Sequence, residues 1–84
     1  MILCWHYKAW DEYLYWQKTD KKTLNSINKL IKEIIREPYQ GIGKPEPLKH
    51  QWQGFWSRRI DSVNRLVYKV EDNKILIAQC RFHY

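Results

Sequence analysis

Glu46, His83, Lys49, Arg59 and Arg65 are the side chains of this 84-residue sequence that could move protons and hold a phosphate. Glu46 lies in the stretch Gly41-Ile42-Gly43-Lys44-Pro45-Glu46-Pro47-Leu48-Lys49-His50, which holds two of the three glycines and two of the three prolines. Pro47 pushes Glu46 toward an extended backbone, and neither Pro45 nor Pro47 can extend a helix or donate a strand hydrogen bond. The expected result is a stiff, exposed loop presenting one carboxylate among cations. Cleaving RNA by internal attack needs a base for the 2′-hydroxyl, an acid for the 5′-oxygen, cationic donors for the phosphorane and a platform for bases. Glu46 can be the base, His83 the acid, and Arg65, Arg59 and Lys49 the donors. His50 and His6 are alternative proton carriers. Tyr84, Phe82 or a tryptophan could stack a base. Taken singly each residue is ordinary, so the elements that bring them together decide.

Ile2-Leu3-Cys4-Trp5 reads as a short buried strand. From Lys8 the spacing turns helical, with Ala9, Trp10, Tyr13 and Leu14 on one face and Tyr15 and Trp16 partly off it, toward solvent. Thr19-Asp20 breaks the pattern and caps a second helix over Lys21 to Arg36, whose Leu24, Ile27, Leu30, Ile31 and Ile34 recur every three or four residues. Glu37-Pro38 ends it. The short joint predicts an antiparallel helical hairpin. Three strands follow the glycine–proline loop, Gly54–Ile60, Arg65–Val70 and Lys74–Phe82, with a turn at Glu71-Asp72-Asn73. The order predicts one α+β domain over residues 1–84. Its sheet is small and mainly antiparallel, with the two N-terminal helices packed on one face. Strand alternation then gathers Arg59, Arg65 and Arg81 or His83 at the ends of a helix-free, cationic face.

Composition narrows the partners. The formal net charge is +6, from 15 Lys and Arg against nine Asp and Glu. Residues 1–40 contribute +2 and residues 41–84 contribute +4, so the field is strongest where the candidate site lies. That points to a polyanion, either nucleic acid or an acidic protein. Thirteen Trp, Tyr and Phe residues are more than so small a core can hide, which suits a stacking or partner surface. Cys4 and Cys80 form no CxxC or Cys/His spacing, so no metal site is expected, and the default is two buried thiols in a cytoplasmic protein, a disulfide being open if their strands are neighbours. No signal peptide or membrane-spanning run is visible.

With these motifs in place the chain resembles the YoeB toxins, small bacterial ribonucleases of the RelE/ParE superfamily. The resemblance runs end to end. It is densest in Gly43-Lys44-Pro45-Glu46-Pro47-Leu48-Lys49-His50, Gly54-Phe55-Trp56-Ser57-Arg58-Arg59-Ile60, Arg65-Leu66-Val67-Tyr68 and Cys80-Arg81-Phe82-His83-Tyr84. The run Trp10-Asp11-Glu12-Tyr13-Leu14-Tyr15-Trp16 also fits. It implies a RelE-like, microbial-ribonuclease-like fold and cleavage of mRNA in the ribosomal A site without a metal or other cofactor. It implies Glu46 as general base, His83 as general acid and Arg65 as transition-state stabiliser. Lys49 and Arg59 would hold phosphate, and Tyr84 would position substrate. It further implies a YefM-like antitoxin as partner and the capacity to form a homodimer. Departures are Phe82 where Tyr is common, Ile42 where a basic residue is usual, and Asn64 where His is common; none removes a proposed catalytic group. Two other functions fit the same elements: a ParE-like gyrase poison, and a non-catalytic RNA-binding or antitoxin-docking module.

Overall fold

The two helices form where the apolar spacing puts them, and five strands follow one another around them. The structure, a computed structural model, describes residues 1–83. Strand β1 is Ile2–Trp5, helix α1 Tyr7–Thr19, helix α2 Lys21–Arg36, β2 Glu46–Pro47, β3 Trp56–Arg59, β4 Arg65–Glu71 and β5 Lys74–Gln79. His6 caps α1, its Nδ1 accepting from Lys8 N. Asp20 caps α2, its carboxylate accepting from Thr23 N and Thr23 Oγ1. The bonds from Thr23 hold the Asp20 carboxyl below its usual range.

The sheet runs β1-β5-β4-β3-β2. The β3–β4 and β4–β5 pairings are antiparallel, as expected, and so is β2–β3, which draws Glu46 and Pro47 of the expected loop into a two-residue strand, but β1 lies parallel to β5, with Cys4 opposite Leu76. The sheet is therefore mixed. The helical hairpin carries β1 back to the far edge, beside the strand that is last in sequence. Ala9, Trp16, Ile27, Leu30, Ile31 and Ile34 pack against Leu66, Tyr68, Ile75, Ile77 and Cys80 to form the core, all on one face of the sheet. The expected α+β architecture with both helices on that face is what the chain adopts.

One irregularity reorganises the C-terminal strand. Val67 pairs with Gln79 and Tyr68 pairs with Ile77, so Ala78 is an extra residue, a β-bulge. Plain alternation puts Ile75, Ile77 and Gln79 on one face. The bulge turns Gln79 to the helix-free face and brings Cys80 into the core. Strand pairing also ends at Gln79, earlier than the expected Phe82. The tail then passes over α1. Cys80 N donates to Glu12 Oε1 and Trp16 Nε1 donates to Cys80 O, both at 2.8 Å. Trp16, expected toward solvent, is buried because this tail covers the second face of the helix. Arg81 leaves the expected cationic face and stacks on the Tyr15 ring, 3.6 Å from its centroid. Both cysteines are free thiols, Cys80 buried as expected but Cys4 only half-buried, because β1 lies at the edge of the sheet. Burial pushes Cys80 up to about 12, with the nearby Glu12 charge adding to the effect.

Candidate active site

Glu46 owes its position to a chain of anchors that begins in the core. Arg58, on β3, is fully buried. Its NH2 donates to Glu37 O at 2.7 Å and Gln40 O at 2.8 Å, its NH1 to Ile42 O at 3.1 Å, and its Nε to Tyr68 Oη at 3.2 Å. Tyr68 donates in turn to Pro38 O at 2.6 Å. These bonds tie the segment after α2 to the middle of the sheet. Gly43 then presses against it: a Cβ there would meet Leu30 Cδ2 at 2.8 Å and Arg58 Cβ at 3.1 Å. Its φ of 82° also favours glycine, and Gly43 O accepts from Arg59 N at 2.7 Å. The loop is thus fixed just before Lys44. Pro45 and Pro47 follow on the outer edge, where a strand needs no donor on one side.

The register across the sheet assembles the site. Glu46 pairs with Ser57, Ser57 with Val67 and Val67 with Gln79, forming one row on the helix-free face. Two residues along, and so on the same face, Arg59 pairs with Arg65. Ser57 and Val67 are buried, Glu46 and Arg59 are exposed and Arg65 is half-buried. The carboxylate and both arginines therefore share a surface, as alternation predicts. Arg65 NH1 donates to Asp61 O at 2.8 Å and Asn64 O at 3.2 Å, which aims the guanidinium back over the turn before β4. Burial raises Asp61, but bonds from Asn64 and Val63 and the charge of Arg65 outweigh it, leaving its carboxyl below the usual range.

Lys49 precedes a short 3-10 turn, His50–Trp52, and is exposed. Glu46, Lys49, His50 and Trp52 line one open groove of about 430 Å³. His50 therefore stays near the carboxylate, whereas His6 is occupied as a helix cap. The segment after the 3-10 turn folds over the same face, with Lys69 Nζ 5.4 Å from the Phe55 ring centre. A second space of similar volume lies beyond Trp52, lined by His6, Glu12, Phe55 and Gln79 among others. The helix-free face is thus a floor partly roofed by aromatic residues.

His83 is exposed and comes to the Arg65 end of this floor through its neighbour. Phe82 O accepts from Arg65 N at 2.9 Å, and Phe82 N donates to Asn64 Oδ1 at 2.7 Å. Tyr84 lies outside the described residues. Three further residues contribute that residue type alone does not single out. Alternation already puts Ser57 on the face of Arg59, whereas Gln79 reaches the row only through the bulge. Arg58 has no sequence sign that separates it from Arg59 except its place on the apolar face, opposite Arg59. Among the described residues no three His, Cys, Asp or Glu side chains gather as a metal site.

Two N-terminal helices backing a five-stranded mixed sheet make this a RelE-like microbial-ribonuclease fold. A crystal structure of the YafQ H87Q mutant from E. coli shares that fold, with a TM-score of 0.82 at 18% identity over 96% of this chain and 91% of that one. Residues 5–84 match the model of the YoeB-like toxin of bacterial type II toxin–antitoxin systems, and the chain belongs to that family. It is 58% identical to Toxin YoeB of Escherichia coli K12 over the full length of both. A YoeB/ParE toxin from Agrobacterium tumefaciens superposes with a TM-score of 0.98 at 46% identity, covering both chains fully. The toxin chain of a YoeB–YefM complex from Staphylococcus aureus gives 0.92 at 45% identity, covering all of this chain and 98% of that one.

Proposed function

We propose that this chain is the toxin of a type II pair that acts as a ribosome-dependent mRNA endoribonuclease, cutting in the A site and stopping translation. The observation that carries the reading is the shared floor: Glu46 in register with Ser57, the Arg59–Arg65 pair beside it, and the tail bearing His83 bonded to the backbone of Arg65. Glu46 takes the proton of a 2′-hydroxyl. The 2′-oxygen bonds to phosphorus as the bond to the 5′-oxygen breaks, and His83 gives that oxygen its proton. Arg65 balances the charge that develops on the phosphorane, and Lys49 and Arg59 hold the phosphate. Tyr84 positions the substrate. The products are a 2′,3′-cyclic phosphate and a free 5′-hydroxyl, and no metal or other cofactor takes part.

Residues 1–84 act as one toxin domain in the cytoplasm, where ribosomes are. Staphylococcus aureus relatives form a YoeB–YefM heterotetramer and a YoeB dimer. By likeness to them, this chain binds a YefM-like antitoxin and can self-associate.

Primer extension on mRNA after induction tests the reading. Cuts inside translated codons are expected, lost in Glu46→Gln and His83→Gln and suppressed by a co-expressed antitoxin. Near-wild-type cutting by both variants overturns the acid–base assignment. The Agrobacterium relative is described as YoeB/ParE, so gyrase-dependent DNA breaks are scored in the same cells. Breaks without mRNA cuts would replace the ribonuclease with a gyrase poison, and expression without growth arrest would leave a passive binding module.

A further inference from the structure

We propose that Asn64 is a positioning residue for the His83 acid, acting by holding Phe82 in a left-handed turn beside Arg65. The proposal rests on the ribonuclease reading above and names a residue to which that reading gives no role.

Phe82 has a φ of 68°, a conformation that a bulky residue with a Cβ adopts only when its surroundings impose it. Its own side chain does little of the imposing, being 55% exposed. The backbone is held instead. Phe82 N donates to Asn64 Oδ1 at 2.7 Å, and Phe82 O accepts from Arg65 N at 2.9 Å and from Gln79 Nε2 at 3.3 Å. Two consecutive residues of the β4 entry thus grip both backbone polar groups of the residue before His83.

The orientation of the Asn64 amide is itself determined. Asn64 Nδ2 donates to Asp61 Oδ2 at 3.1 Å and to Oδ1 at 3.3 Å, while Asn64 N donates to Asp61 Oδ1 at 2.7 Å. With the amide nitrogen committed to a carboxylate, the oxygen must face the tail. Upstream, the bonds from Glu12 and Trp16 fix Cys80. The tail is therefore held at Cys80 by α1 and at Phe82 by the turn before β4, leaving one backbone step to His83. Freed at Phe82, the chain relaxes toward ordinary extended angles and His83 is no longer held beside the start of β4. A misplacement of about 1 Å at a reacting group costs about a hundredfold in rate.

The test is single-turnover cleavage on programmed ribosomes at saturating toxin. Two mRNAs are compared, one ordinary and one with a bridging 5′-sulfur at the scissile phosphate. A thiolate leaves without a proton donor, so the sulfur substrate reports every step except the acid's. Asn64→Ala is expected to lose about a hundredfold in the saturated single-turnover rate on ordinary mRNA. It is expected to return to within a few-fold of wild type on the sulfur substrate, as His83→Gln should. Asn64→His places Nδ1 where Oδ1 stood and is expected to restore most of the lost rate. If Asn64→Ala does not fold, as judged by its melting temperature, Phe82 supplies the comparison: Phe82→Asn tolerates the left-handed turn and Phe82→Val does not, so only the second should show the sulfur-rescued loss. Wild-type rates in Asn64→Ala overturn the proposal, as does a defect that persists undiminished on the sulfur substrate. Failure of the wild type to cut either mRNA overturns the ribonuclease reading and the proposal with it.

Discussion

Arg58 and Arg59 stand side by side and do opposite things. Alternation sends Arg59 to the open floor and Arg58 into the apolar layer, where four hydrogen bonds to three loop carbonyls and the Tyr68 hydroxyl satisfy its guanidinium. Removing it strands those acceptors as well as opening a cavity. Arg58→Ala should cost at least about 3 kcal/mol, read as a lower urea midpoint. Arg58→Lys should recover only part of this, since an ammonium cannot reproduce the planar fork. A loss below about 0.5 kcal/mol for Arg58→Ala would show that the loop is held by other means. The residue types of the candidate site were legible in the sequence because proton carriers and phosphate holders are few in kind. Which arginine is structural was legible only as a parity of the strand. Arg81 and Trp16 were misplaced because both depend on a tail path that no local pattern records.

The elements themselves were legible where one period runs long enough, as in α2, whose expected bounds match the structure. They were less so at β5, because a single extra residue, Ala78, is invisible in composition yet reverses the faces beyond it. Helix α1 bears the consequence, since its second face becomes the seat of the tail. Burial raises the Glu12 carboxyl, against the opposing bond from Cys80 N and the charge of Arg81. Above its ordinary value of 4.5 the unfolded chain releases this proton first, so the folded state binds more protons and stability falls as pH rises through the window up to the raised value. Glu12→Gln keeps an acceptor for Cys80 N and removes the titration. Its urea midpoints, followed from pH 4.5 upward, should lack that part of the decline; an unchanged slope would mean that Glu12 titrates alike in both states.

At the scale of the molecule, the +6 charge is uneven and the helix-free floor holds Arg59, Arg65 and Lys69. Association with RNA should weaken steeply with salt, and Arg59→Ala should lower the log–log slope by roughly 0.7, one phosphate contact on a single strand. An unchanged slope would remove Arg59 from the interface. The β3–β4 and β4–β5 pairings followed from short turns between successive strands. The parallel pairing of β1 was not legible, because nothing in a four-residue apolar strand names its partner. That pairing has a consequence in time. The first strand to emerge during synthesis has no place in the sheet until the last has appeared, and the tail that carries His83 comes later still. Contacts between such distant parts of a chain close slowly. The sheet, and the seat of the tail that bears His83, are therefore completed only after β5 has been made.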